Sequence, residues 1–329
     1  MAATKERRAA PSPLALRKLM LRELYSVARD LRKRNALDGD IVHAARKTLK
    51  RARASLRLLR DVLGQPFYIR ENAQLRDAAR SLGRLRDAQV LRDKLDGLLE
   101  NEKNAERRGL LLKQRQALNA GWHKLRKEAQ RERTLNKSAD IIEEVTARMK
   151  RQRLRSSEHS IVQTGLRRIY RKGRVALAET ETDQLKDENL HELRKQAKYL
   201  GHAMKILAPG AHGKLANCIK RADAVAANLG DDHDLVLLQA KIATLRVRLT
   251  EAHESVLAHK RQKLQKKALK RARRLYRENP RGFLIRLQNE LLLSTETSIP
   301  QTRSTGSRYW VRSDTATQCV RRPRVRGRA

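Results

Sequence analysis

The sequence His43-Ala44-Ala45-Arg46-Lys47-Thr48-Leu49-Lys50 recurs, with changes, as His191-Glu192-Leu193-Arg194-Lys195-Gln196-Ala197-Lys198. The His, the Arg and both Lys residues stand at identical offsets in the two copies. A second matched pair follows: Leu82-Gly83-Arg84-Leu85-Arg86-Asp87 and Leu229-Gly230-Asp231-Asp232-His233-Asp234. A fixed internal period indicates one supersecondary unit used twice. Because the repeated residues are mainly cations, they point to an anionic ligand.

The rest of the chain predicts an all-α protein. Apolar residues recur at intervals of three and four, as in amphipathic helices, and Pro and Gly are scarce between residues 14 and 295. Helices are predicted over about 14–35, 39–63, 68–99, 103–133, 139–179, 186–207, 212–250 (broken near Gly230) and 254–292. Four elements per half favour two pseudo-symmetric antiparallel four-helix bundles, with a boundary near 133–138.

Both motif helices carry an apolar stripe beside a cationic one. In the first helix the apolar residues are Val42, Ala45, Leu49, Ala52, Leu56, Leu59 and Leu63. Its cationic stripe, one residue or about 100° further round the helix, comprises His43, Arg46, Lys50, Arg53, Arg57 and Arg60, with Lys47 alongside. The second helix pairs Leu190, Leu193, Ala197, Leu200, Met204 and Leu207 with His191, Arg194, Lys195, Lys198, His202 and Lys205. A third cationic stripe comprises Arg167, Arg171 and Arg174.

These stripes suit a chain of phosphates. Cations one helical turn apart lie about 5.4 Å from each other, which matches closely spaced phosphates better than one small anion. The alternative is a solvated helix face, but such faces usually mix both signs, and residues 43–60 contain no acidic residue.

Composition also favours a polyanionic partner. The chain has 76 basic and 36 acidic residues, a formal net charge of +40, which attracts polyanions at long range. Aromatic residues make up only 3% of the chain, which argues against a protein that stacks single-stranded bases. Cys218 and Cys319 show no metal-ligand or disulfide spacing, so we expect a cytoplasmic protein. No apolar stretch reaches the roughly 18 residues that a membrane span needs.

The two ends and two local features give further expectations. Residues 1–13 are predicted to form a basic flexible N-terminus, and residues 293–329 an Arg-rich disordered tail. Gly83 and Gly230 either end helices or let two helices approach closely. Asp231 or Asp232 would cap a following helix and pair with Arg. A metal site at Asp231–Asp234 is less favoured, since only Asp87 has a matching position in the first half. We therefore expect no catalytic residue, metal or cofactor.

The repeated motifs, together with Tyr170-Arg171-x-Gly173-Arg174-x-Ala176, resemble the conserved histidine α-helical domain (CHAD) family over residues 14–292. The resemblance implies two halves, 14–135 and 138–292, around a basic central groove that binds inorganic polyphosphate, and association with polyphosphate granules. The phosphate contacts that it implies are His43, Arg46, Lys47, Lys50, His191, Arg194, Lys195 and Lys198. The chain departs from the family at Gly201-His202, where an Arg-Tyr pair is common.

The leading hypothesis is therefore non-enzymatic binding of inorganic polyphosphate. The candidate contacts are His43, Arg46, Lys47, Lys50, Arg53, Arg57, Arg171, Arg174, His191, Arg194, Lys195, Lys198, His202 and Lys205. The alternative is a nucleic-acid-binding, nucleoid-associated protein that uses the same cations. A metal-dependent phosphatase acting on polyphosphate is a weaker alternative.

Overall fold

A computed structural model describes residues 11–33, 39–155, 161–182, 185–244 and 250–296. The helices of the first part are α1 (Pro13–Arg32), α2 (Gly39–Leu63), α3 (Gln65–Ser81), α4 (Gly83–Leu99), α5 (Ala105–Arg131) and α6 (Thr134–Arg151). A π-helical turn (Val162–Leu166) precedes α7 (Arg167–Thr182), α8 (Asp187–Leu207), α9 (Gly213–Ala243), α10 (Glu251–Leu275) and α11 (Pro280–Glu296). The all-α prediction is confirmed. Most of the predicted N-terminal segment and tail lies outside the described residues.

Three predicted helices are each divided into two. The predicted helix 68–99 is interrupted at Leu82, the helix 139–179 after α6, and the helix 254–292 between α10 and α11. Pro280 explains the last break, because proline favours the first position of a helix and restricts the residue before it. The predicted break near Gly230 is wrong: α9 continues through it, so neither Asp231 nor Asp232 caps a helix.

The predicted apolar stripes of α2 and α8 form the centre of the core. Every apolar residue named for these two stripes is buried, with at most 3% of its surface exposed. Side chains from both halves, such as Leu24 and Leu56 in the first and Leu200 and Phe283 in the second, belong to one continuous hydrophobic cluster. Burial of this apolar area supplies most of the driving force for folding.

The helices pack in two groups that α4 and α5 connect. The first group is α1, α2, α3 and α6, in which α6 packs on α1 and α3. In the second group α7 packs on α8, α8 on α9 and α9 on α10. α4 packs on α5, α2 and α9. This packing places α6 with α1 and α3 of the first group, and the division into halves near 133–138 stays a prediction.

Close contacts hold α2 and α7 beside each other. A Cβ on Gly165, in the π-helical turn, would lie 2.7 Å from the carbonyl oxygen of Leu58, so only glycine permits this approach. On α7, the Tyr170 ring stacks on Phe283 with centroids 3.9 Å apart, and its hydroxyl donates to the carbonyl of Leu275 at 3.2 Å. The Tyr170 motif thus fixes α7 against α10 and α11.

Candidate functional site

A cleft of about 750 Å³ lies between α2, the α3–α4 junction, α8 and α9. Its α2 wall presents Arg46, Lys50 and Arg53, and its α8 wall presents His191, Arg194, Lys195, Lys198, Tyr199 and His202. The two predicted cationic stripes therefore meet across one cleft. Asp87 and Asp234 are the acidic residues in the described lining, so the cleft is strongly cationic.

The structure brings together some of the predicted site residues and not others. The cleft lining includes Arg46, Lys50, Arg53, His191, Arg194, Lys195, Lys198 and His202. Other candidates fall outside the described lining, namely His43, Lys47, Arg57, Arg171, Arg174 and Lys205. Of these, His43, Lys47, Arg171 and Arg174 are solvent-exposed, and Lys205 pairs with Asp223 at 2.6 Å.

A third cationic wall was missed by the sequence reasoning. Arg76 and Arg80 on α3 and Arg84 on α4 line the cleft opposite α8. They are spaced by four residues across the break at Leu82, the same interval that marked the other stripes. That interval was the available signal, but only tertiary packing shows that this row faces the α8 wall.

Arg46 is held at the cleft by its surroundings. Its Nη1 donates to the carbonyl of Ala79 at 3.3 Å, and its Nη2 pairs with Asp87 at 3.4 Å. A Cβ on Gly83 would collide with Nη1. Gly83 does not have a positive φ. Its role is to leave room for the Arg46 guanidinium, so the close approach here is between a side chain of α2 and the backbone of α4.

Arg194 has the equivalent surroundings in the second half. A Cβ on Gly230 would lie 3.3 Å from its Nη2. Burial lowers the pKa of the Arg194 guanidinium, and the charge of Asp234 opposes this lowering. Its Nε is buried without a hydrogen-bond partner in the described structure. The two repeated motifs of each half therefore form one unit: an arginine, a glycine beneath it and an aspartate beside it.

The lysines between these arginines are poorly solvated. Burial, then the neighbouring charges of Arg194 and Lys50, lowers the pKa of Lys198 to about 7. Burial and the charge of Arg46 also lower the pKa of Lys50. Burial lowers the pKa of His202 to about 4. Without a ligand, the positive charges of Lys50, Lys198 and Arg194 repel one another in a site with little water to screen them.

The motif histidines differ in position. The rings of His191 and His233 lie 5.0 Å apart. Burial, then the charge of His233, lowers the pKa of His191, and burial, then the charge of Arg194, lowers the pKa of His233. His43 is exposed on α2, where partial burial and Arg86 lower its pKa. His191 therefore faces the cleft, whereas His43 stands at its outer edge.

Two acidic residues of the second motif form ion pairs, Asp232 with the predicted kind of partner, an arginine, and Asp231 with a lysine. Asp231 accepts a hydrogen bond from Lys94 at 2.7 Å. The buried Asp232 accepts from Arg261 at 2.9 Å and from Gln265 at 3.1 Å. Over the described ranges, no group of three His, Cys, Asp or Glu residues is arranged to hold a metal ion.

A smaller pocket of about 240 Å³ adjoins the cleft beyond Tyr199. The guanidinium of Arg57 lies 3.5 Å from the centre of the Tyr199 ring. This stacked pair separates the two spaces. Arg57 lines the smaller pocket together with Arg60, Arg168 and Lys172. On α7, Arg168 and Lys172 thus face α2, in place of the predicted Arg171 and Arg174.

Comparisons with known proteins identify a matching family and similar structures. Residues 20–243 match the CHAD domain family. The structure is similar to PptA from Streptomyces chartreusis, with a TM-score of 0.55 and 14% identity over 82% of this chain and 98% of that one. The CHAD domain from the plant Ricinus communis gives a TM-score of 0.47 and 18% identity over 88% and 94%. No curated protein matches. Among the described helices, none is long and apolar enough to cross a membrane.

Proposed function

Since the chain belongs to the CHAD domain family, we propose that it binds inorganic polyphosphate in the cleft between α2 and α8 and does not cleave it. The main support for this proposal is the pair of arginine–glycine–aspartate units built on Arg46 and Arg194, which line the same cleft together with Lys50 and Lys198. Both lysines have lowered pKa values because burial and neighbouring cations disfavour their charged forms. A polyanion relieves this repulsion directly.

The geometry supports a linear ligand with many charges. The cations of α2 and α8 follow one another at helical intervals of about 5–6 Å, and the row Arg76, Arg80 and Arg84 adds a third wall. A chain of phosphates can contact several of them at once. Bidentate contacts from Arg46 and Arg194 would be the strongest, because guanidinium groups match phosphate oxygens in shape and charge.

The cleft disfavours nucleic acid. Tyr199 is the aromatic residue among its described lining, and the guanidinium of Arg57 already stacks on that ring. Nucleobases would therefore add bulk without gaining the stacking that single-strand-binding proteins provide. Polyphosphate carries the same charge without bases, which favours it as the ligand. We further propose that this binding associates the protein with polyphosphate granules in the cytoplasm.

The test compares three variants that each lose four positive charges. In the cleft variant Lys50, Arg194, Lys195 and Lys198 are replaced by Gln; all four line the cleft. In the α5 control the exposed Lys113, Lys124, Lys127 and Arg131 are replaced by Gln. In the third, the α10 variant, the exposed Lys263, Lys267, Lys270 and Arg274 are replaced by Gln. Calorimetric titration with long-chain polyphosphate, tRNA and duplex DNA at equal phosphate concentration gives the affinities.

Wild type and the α5 control should bind polyphosphate alike and the cleft variant about 100-fold or more weakly, since each charged hydrogen bond contributes about 1.5–3 kcal/mol. The part of tRNA or DNA binding that depends on the cleft should be small. Equal losses in the cleft variant and the α5 control would contradict a specific site. Phosphate release on adding a divalent cation would contradict the non-enzymatic part of the proposal.

A further inference from the structure

Helix α10 carries a second cationic surface, formed by residues outside the described lining of the cleft. Residues 255–277 contain ten basic and no acidic residues. Eight of the ten are exposed and have no ion pair in the described structure: Lys260, Lys263, Lys266, Lys267, Lys270, Arg271, Arg274 and Arg277. We call these eight residues the α10 face. The other two, Arg261 and Arg273, are paired with Asp187, Asp232 and Glu181.

The α10 face is one continuous strip on the outside of the fold. Lys260, Lys263, Lys267, Lys270 and Arg274 follow one another at steps of three and four residues. At 1.5 Å per residue, the helical part of the strip, from Lys260 to Arg274, is about 21 Å long, and Arg277 follows just after the end of α10. The opposite side of α10 is packed into the core, with Leu257, Ala268, Ala272 and Leu275 buried. The helix is therefore held rigidly while its whole cationic side faces solvent.

We propose that the α10 face binds the phosphate backbone of double-stranded nucleic acid, independently of the cleft. Duplex DNA carries one negative charge per about 1.7 Å of its axis, so a straight strip about 21 Å long faces many phosphates at once. The α10 face has no aromatic side chain to stack a base, which favours a duplex over a single strand. Lysine-rich contacts of this kind position a protein on the backbone and do not read sequence.

Two physical arguments separate this surface from the alternatives. The cleft encloses about 750 Å³. A duplex has a major groove that is itself about 12 Å wide, so the whole duplex is too wide for the cleft and requires an open surface. A helix that anchors to a membrane needs exposed apolar side chains next to its cations. On α10 Leu257, Leu269 and Leu275 are buried in the protein, and the large apolar side chain exposed among the described residues of this helix is Val256, which precedes all eight cations. The α10 face thus suits a stiff polyanion in water better than a lipid surface.

The test uses the α10 variant, in which Lys263, Lys267, Lys270 and Arg274 are replaced by Gln. It is matched to the cleft variant and to the α5 control, because each loses three Lys and one Arg. The full chain is titrated with a short DNA duplex, the corresponding single strand and anionic phospholipid vesicles over a range of salt concentrations. Thermal melts establish that each variant is folded.

We expect the α10 variant to bind the duplex at least about tenfold more weakly than wild type. The slope of log K against the logarithm of the salt concentration should be shallower by about 3–4, because each lost phosphate contact removes about 0.9 from it. The cleft variant and the α5 control should keep duplex binding, and the α10 variant should keep polyphosphate binding. An equal loss of duplex binding in the α5 control would overturn the proposal. So would tighter α10-dependent binding of the single strand or of the vesicles. Failure of polyphosphate binding in the cleft would leave this result unaffected.

Discussion

Nη1 of Arg46 occupies the space that a Cβ on Gly83 would fill. The two residues belong to different repeated motifs, 37 positions apart in the sequence, and the second half repeats the arrangement with Arg194 above Gly230. The glycines therefore set the position of the two arginines that face each other across the cleft. This explains why both motifs recur together.

The first prediction concerns this relationship. Gly83→Ala should displace the Arg46 guanidinium and weaken polyphosphate binding about tenfold, the equivalent of about 1.4 kcal/mol. The fold should tolerate the change, since the colliding atom is the end of a flexible side chain and alanine favours helix. Gly230→Ala should have a smaller effect, because its Cβ would lie 3.3 Å from Arg194. Calorimetric titration and thermal melts of both variants measure this; a folded Gly83→Ala protein with wild-type affinity would refute it.

The second prediction concerns pH. The free protein holds the pKa of Lys198 at about 7, and a bound polyanion should raise it toward its ordinary value. Below pH 7 the lysine is protonated with or without ligand. Above pH 7 binding must take up a proton, so affinity should fall as pH rises from about 7 to about 9.

The variant Lys198→Arg isolates this effect, since arginine stays charged throughout that range. The affinity of Lys198→Arg should depend less on pH than that of wild type. The control Lys47→Arg, at an exposed position of the first motif copy, should keep the pH dependence of wild type. Calorimetry in buffers of different ionisation enthalpy measures the protons taken up. A profile for Lys198→Arg as steep as that of wild type would assign the pH dependence to other groups.

The third prediction separates ligand binding from stability. Lys50→Ala removes a cation that its neighbours disfavour, so the free protein should remain as stable as wild type or become slightly more stable. Its melting temperature should rise less on adding polyphosphate. Leu56→Ala, at a fully buried position, should lower the stability by about 2–5 kcal/mol through a core cavity.

Melting curves of both variants with and without polyphosphate provide the comparison. Saturation at 100 times Kd stabilises a protein by about 2.7 kcal/mol, which sets the size of the wild-type shift. If Lys50→Ala melted far below wild type and kept the full ligand shift, Lys50 would be a structural residue.

The fourth prediction concerns a buried ion pair outside the cleft. Glu71 is fully buried on α3, and Arg148 on α6 donates to its two oxygens at 3.0 Å. Glu71→Ala removes the buried partner of Arg148, which retains Glu144 at 3.2 Å, and should cost about 1.5–3 kcal/mol of stability. Polyphosphate affinity, measured well below the melting temperature, should not change. A loss of affinity without a loss of stability would place Glu71 in the ligand site.

The sequence predicted the elements whose burial follows a strict helical period. The bounds of α2 were predicted without error and α8 within one residue, because their apolar stripes are uninterrupted. The bounds 68–99 missed the break at Leu82, although Gly83 was one of the two glycines expected to end a helix or to allow a close approach. Leu82 keeps right-handed helical dihedrals, with φ −70° and ψ −17°, so the helical pattern of the sequence continues across the break.

The candidate site was predicted where the repeat itself carried the signal. Arg46, Lys50, Arg194 and Lys198 do line one cleft. Periodicity could not show which side of α7 faces α2, so Arg171 and Arg174 were chosen where Arg168 and Lys172 line the adjoining pocket. Nor could it show that Arg76, Arg80 and Arg84 form the opposite wall, because that depends on contacts between helices distant in sequence.

Lysine footprinting tests the location of polyphosphate most directly. Brief acylation of the protein with and without long-chain polyphosphate, followed by mass spectrometry, reports the protection of each lysine. Lys50, Lys195 and Lys198 should be protected by the ligand, while Lys113 and Lys124 on α5 should react equally in both samples. Unchanged reactivity of the three cleft lysines at a polyphosphate concentration that saturates binding would show that the ligand lies elsewhere.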